Sequence, residues 1–216
     1  IFGSAPDAAQ REVPIISRHS MLRMNPPDHT RMRGLVAREF TPKRVDALRP
    51  AIVEMVDGSL DGLADAGGGD VMDVLAFPLP VKVIGELLGV PEADRDQFRW
   101  IVRDAAAALE PMVDRATVQR AERASEEMTR YFRGLIADRR NAPTDDLIGA
   151  LIHLRDDDDR LTEDELVSTI VLLFAAGFET TTHLLTNSMR ILAERPELLA
   201  HLREDPSSIP HFVEEA

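Results

Sequence analysis

The chain predicts a mainly α fold built on one long central helix with very little strand, and three observations carry that reading. Apolar residues recur at helical spacing along most of the 216 residues. Thr162-Glu163-Asp164-Glu165 opens an apolar run that meets no helix breaker until Pro196. Only Asp70–Val74, short and Val-rich, reads as a strand.

The elements follow in order. Asn25 can cap and Pro26 suits a first helical position, so a helix is expected over about 26–40. Thr41-Pro42 restarts a second one, with Val45, Leu48, Ile52, Val53, Val56, Leu60 and Leu63 at helical spacing, and Gly67-Gly68-Gly69 ends it. After the candidate strand, Pro78 and Pro80 introduce a helix around Val81–Leu88 that stops near Gly89 and Pro91. Further helices fit Glu92–Leu109, Val113–Arg140 and Thr144–Leu154.

The long helix is expected over about 163–195. The capping box starts it, and Pro196 disfavours helical geometry in the residue before it. At about 1.5 Å per residue it is roughly 50 Å long and must cross a whole domain. Its middle, Leu166–Phe178, is apolar nearly all round and is expected to be buried on most faces.

With 44% hydrophobic content the chain can bury a core, and 1–216 reads as part of a single domain. A formal net charge of -13 repels a nucleic-acid backbone, so no nucleic acid is expected as a partner. No cysteine occurs, which excludes disulfides and thiolate chemistry from these residues. The six histidines show no short metal-binding spacing, so no protein-held metal site is expected. The charge-free run Leu166–Phe178 is short for a bilayer, and no signal pattern opens the chain. No membrane association and a cytoplasmic location are therefore expected.

The segment Val-Leu-Leu-Phe-Ala-Ala-Gly-Phe-Glu-Thr-Thr-Thr at 171–182 is poor helix material. A helical glycine costs about 0.5–1 kcal/mol relative to alanine, and successive threonines lose rotamer freedom. Glu179, if buried, needs a partner or a proton-carrying task. The Thr180 hydroxyl can reach the Ala176 carbonyl four residues back, opening the helix beside Gly177 into a groove. On the residues alone a bland alternative stands equally: Gly177 permits close helix packing, and Glu179 faces solvent.

Ala176-Gly177-Phe178-Glu179-Thr180-Thr181 resembles the oxygen-activation motif in the central helix of the cytochrome P450 family, the haem-thiolate monooxygenases. The commoner bacterial form has His where this chain has Phe178, a position read as tuning the pocket. Asn25-Pro26-Pro27-Asp28-His29-Thr30-Arg31-Met32-Arg33, with Phe40-Thr41-Pro42 after it, resembles the helix that binds the haem propionates in soluble bacterial members. His29 and Arg33 are four apart and project from one face, as a grip on two carboxylates requires. Leu87-Leu88-Gly89-Val90-Pro91 and Arg195-Pro196-Glu197 agree with the same family, so the resemblance covers essentially the whole chain.

The resemblance implies an iron- and haem-binding oxidoreductase of bacterial type. Haem b is its cofactor, O2 its co-substrate, and its electrons come ultimately from NAD(P)H through a ferredoxin-type partner. One oxygen atom enters a small hydrophobic organic substrate. Glu179 and Thr180 would be catalytic, Thr180 holding the oxygen ligand or a water and Glu179 relaying protons. His29, Arg33, Ala176 and Gly177 would bind the cofactor.

Ile15, Ile16, Met21, Leu173 and Phe178 would border the substrate. Within Arg31–Arg49, six basic residues (Arg31, Arg33, Arg38, Lys43, Arg44, Arg49) face two acidic ones, a candidate dock for an acidic ferredoxin. In the family a cysteine far downstream holds the iron, after a Glu-x-x-Arg motif whose Glu would be Glu215. The chain is thus expected to be an internal fragment, inactive alone.

Two rivals remain at this stage. Asp156-Asp157-Asp158-Asp159 invites an all-helical, Mg-dependent prenyl-diphosphate enzyme, though no second acidic motif accompanies it. A non-enzymatic helical interaction module would treat every motif as packing.

Overall fold

The computed structural model describes residues 19–107, 114–153 and 160–216, and no described residue lies in a strand. Helix α1 spans Asp28–Glu39, α2 Pro42–Ala47, α3 Arg49–Asp65, α4 Pro78–Leu88, α5 Glu92–Arg95 and α6 Phe98–Ala106. Then come α7 Arg115–Asn141, α8 Leu147–His153, α9 Glu163–Glu194, α10 Pro196–Glu204 and α11 Ile209–Glu215. The Asp156–Asp159 run, Ile15, Ile16 and the expected helix ends at Leu109, Val113 and Leu154 lie outside the described residues.

Several boundaries differ from the sequence reading, each for a local reason. α1 begins at Asp28, with Pro27 rather than Asn25 in the cap position. The Asn25 carbonyl still accepts from His29 N. The single helix expected after Pro42 breaks at Leu48, where Pro50 in the first turn of α3 removes a backbone donor. Glu92–Leu109 divides into α5 and α6 around Asp96 and Gln97.

Asp70–Val74 is not a strand. Asp70 Oδ1 accepts from Met72 N at 2.8 Å, and its carbonyl accepts from Asp73 N and Val74 N. An aspartate capping its own following turn outweighs the β preference of valine, and no neighbouring strand exists among the described residues to pair with. A wide helical turn over Met72–Ala76 results, closing Phe77 N onto Met72 O.

The core sits where α4, α6, α7, α8 and α9 meet. Phe98 of α6, Phe132 of α7 and Phe174 of α9 are fully buried, with ring centroids 4.6 to 5.7 Å apart. Burying one such side chain contributes roughly 1.5–3 kcal/mol, so this trio fixes three helices against one another. The capping box at Thr162 is formed in both directions, Thr162 N donating to Glu165 Oε2 at 2.8 Å and Glu165 N to Thr162 Oγ1 at 3.3 Å.

α9 changes character along its length. Every residue from Glu165 to Val171 is buried, but beyond that only Phe174, Phe178 and Thr182 are. The expectation of burial on most faces through Phe178 therefore holds for the first half alone. α4 and the turn at Met72–Ala76 cover one side of the second half, and among the described residues the other side, with Ala176 and Thr180, is exposed. By length and composition α9 could cross a bilayer, yet half of its most apolar stretch is buried within the protein.

Candidate functional site

The open side of α9 carries the motif. Ala176 and Thr180, one turn apart, are both exposed, and Thr180 Oγ1 donates to the Ala176 carbonyl at 2.6 Å. A threonine hydroxyl has one proton, and here the helix takes it. The lone pairs of Oγ1 are left to accept a hydrogen bond from outside.

Thr181 and Thr182 bond back to Gly177 O and Phe178 O at 2.9 and 3.0 Å, and Thr186 to Thr182 O at 2.8 Å. The repeat of Thr at 180–182 carried that signal, although the sequence reading drew it for Thr180 alone. The backbone nevertheless stays helical from Glu163 to Glu194, so the expected local opening does not occur.

Gly177 faces inward. A Cβ there would stand 3.0 Å from Ile84 Cδ1 and 3.3 Å from its Cγ1, so the missing side chain is filled by α4. The space beside Gly177 is thus a helix contact rather than a ligand groove, and Ala176 and Thr180 form the outward surface instead. Phe178 is likewise buried, edge-on to Phe77 with centroids 4.7 Å apart. It packs in the core instead of tuning an open pocket.

Glu179 is half-buried and makes no hydrogen bond or ion pair to another described residue. That depth lies between the two alternatives the sequence leaves open, a buried acid and a solvent-facing one. Partial exposure leaves its carboxylate able to exchange protons with solvent. Leu173 and Met21 are partly buried against the core.

On α1, His29 is half-buried and Arg33 exposed, and neither side chain bonds to another described residue. Met32, Leu35 and Val36 are buried and hold the helix down. No hydrogen bond or ion pair among the described residues joins this pair to Ala176–Thr180; the two motifs are carried by separate elements. The donor chemistry suits a flat, carboxylate-bearing macrocycle: two uncommitted cationic or N–H donors on one face of α1, and a small residue with an acceptor hydroxyl on α9.

The basic stretch is partly committed inside the protein. Arg31 pairs with Glu165 and donates to the Arg160 carbonyl at 3.2 Å, and Arg44 lies 3.5 Å from Glu39. Arg33, Lys43 and Arg49 stay exposed without an ion pair to a described residue. Sequence reasoning missed the Arg31–Glu165 pair. The spacing within the capping box gave no hint that its glutamate had a second, distant partner.

The sequence model of the family described as Cytochrome P450 matches residues 93–212. The chain is 44% identical over 196 residues to Cytochrome P450 107B1 of Saccharopolyspora erythraea, covering 90% of this chain and 46% of that protein. It is 42% identical over 193 residues to 6-deoxyerythronolide B hydroxylase of the same organism, covering 88% and 46%. Nocardicin C N-oxygenase of Nocardia uniformis is 40% identical over 220 residues, covering 99% and 54%.

Among solved structures, P450BioI in complex with an acyl carrier protein superposes with a TM-score of 0.87 at 34% identity, covering 98% of this chain and 55% of that one. The LnmZ cytochrome P450 hydroxylase of Streptomyces atroolivaceus gives 0.81 at 40% identity, covering 91% and 53%. The chain spans about half the length of the curated relatives it matches.

Proposed function

Because this chain belongs to the cytochrome P450 family, we propose that it forms the oxygen-side half of a monooxygenase site, which inserts one atom of O2 into a small hydrophobic organic substrate. Relatives named as hydroxylases and an N-oxygenase support that reaction class. Haem, when bound, supplies an iron centre for O2 activation. The 216 residues contain no cysteine and so would supply no thiolate to that iron.

The chain's own residues have separable tasks. His29 and Arg33 would bind the two carboxylates at the haem edge from one helical face. Ala176, small and exposed, lets a flat ring approach α9. Thr180 Oγ1 would accept a hydrogen bond from a water on the open face of α9, because its own proton is held by Ala176 O. Glu179, half-buried and uncommitted, passes protons from solvent toward that position. The observation that carries this reading is the 2.6 Å bond from Thr180 on an open helix face.

Electrons would come from NAD(P)H through an acidic ferredoxin-type partner docking on Lys43 and Arg49, in the cytoplasm. The test is coupling in the haem-loaded intact enzyme. Thr180→Ala should keep consuming reductant and O2 while product falls and peroxide appears, and Thr180→Ser should retain much of the coupling. Unchanged coupling in Thr180→Ala removes Thr180 from proton delivery.

A further inference from the structure

On α1, successive residues turn about 100°, so Arg31, two positions from both His29 and Arg33, points away from the face those two share. Its guanidinium reaches across to Glu165 in the first turn of α9 and to the Arg160 carbonyl at 3.2 Å. Glu165 is 8% exposed, and both its oxygens are engaged: Oε1 by Arg31, Oε2 by Thr162 N at 2.8 Å. One carboxylate therefore closes the start of α9 and holds α1 at the same time.

We propose that Arg31 is a positioning residue. By pinning the back of α1 to Glu165, it sets the rotation of α1 about its axis and thereby the direction in which His29 and Arg33 present their donors. This rests on the reading of His29 and Arg33 as the haem-carboxylate grip. The hydrophobic contacts of Met32, Leu35 and Val36 hold α1 down but are non-directional. A two-point guanidinium contact fixes an angle. Arg31 touches neither substrate nor cofactor in this role; it acts through His29 and Arg33.

Haem loss from the holoprotein to an excess of a haem-trapping protein reads the effect directly, without turnover. A double-mutant cycle with Arg31→Gln and Arg33→Gln separates the possibilities. Each single variant is expected to speed haem loss roughly tenfold, and the double variant to exceed Arg33→Gln by no more than about twofold, because only His29 is then left for Arg31 to aim. Factors that multiply overturn the positioning role, since a merely structural residue weakens the holoprotein independently of Arg33.

No effect of Arg33→Gln alone overturns the carboxylate-grip reading, and the positioning role with it. Should Arg31→Gln not fold, Arg31→Lys keeps the charge but loses the fork, and the same cycle is read with it. Glu165→Gln should couple to Arg33→Gln as Arg31→Gln does. Simple additivity there counts against the proposal.

Discussion

Ile84 of α4 occupies the space that a side chain on Gly177 of α9 would take, its Cδ1 3.0 Å from the position of the missing Cβ. The glycine in the middle of the oxygen-side motif thus has a packing reason. Its cost of about 0.5–1 kcal/mol in helix propensity is offset where two helices approach through it.

Enlarging that position should lock the two helices apart. Gly177→Val is expected to cost about 2 kcal/mol in denaturant unfolding, and Ile84→Ala in the same chain should return part of it. Strictly additive losses would show that the two positions do not share the space.

Gly89 closes α4 in the left-handed conformation, φ 73°, and a Cβ there would lie 2.0 Å from Asp146 Oδ2. That carboxylate accepts from Arg139 Nε at 2.8 Å and from Gly149 N at 2.7 Å, and Arg139 donates to Gly89 O at 2.6 Å. Gly89→Ala must therefore strain the backbone and displace the side chain that starts α8. A loss of about 3 kcal/mol is expected in thermal or chemical unfolding. A loss below about 1 kcal/mol would mean that Asp146 is not held there.

Asp114 caps α7 by accepting from Thr117 N at 2.7 Å, and its hydrogen bonds to Thr117 hold its carboxyl below the usual 3.8. The folded state then binds its proton less readily than the unfolded chain. The cap's contribution is present above pH 3.8 and is lost as pH falls below it through the lowered folded value. Asp114→Asn keeps an acceptor without the ionisation, so its acid unfolding profile should be shallower below that pH. Superimposable profiles would assign the acid sensitivity elsewhere.

Tyr131 donates to Asp94 Oδ2 at 2.8 Å, and burial, then Asp94, push its phenol above the usual 10.0. It is the only tyrosine in the chain, so an alkaline ultraviolet titration reads it alone. Ionisation should be delayed past the ordinary value until the protein unfolds. Its contribution to stability is complete below pH 10.0 and declines as pH rises above it. Asp94→Asn should bring the titration down, and an ordinary titration in the native chain would contradict the hydrogen bond.

The long helix was legible because its signals are local: Thr162 and Glu165 for the start, Pro196 for the end. Thr180's bond to Ala176 was legible for the same reason, being four residues long. The strand assignment failed at Asp70, where a side chain competing for nearby N–H groups is weakly visible in composition. The direction in which Gly177 faces depends on Ile84, and the role of Arg31 on Glu165. Both partners are far away in sequence, and no spacing rule reaches that far. Helix periodicity marked 172–178 as apolar but could not say that only one side would be covered.

Within this chain α9 passes from full enclosure at Val171 to support along one side, by α4 and the turn at Met72–Ala76. Thr180 lies nine residues past that enclosed clamp, a lever arm of about 14 Å. A tilt of roughly 4° at the clamp would carry its hydroxyl through about 1 Å, a displacement that matters greatly for reacting atoms. The seating of Phe98, Phe132 and Phe174 is therefore the alignment fixture for chemistry that none of them touches.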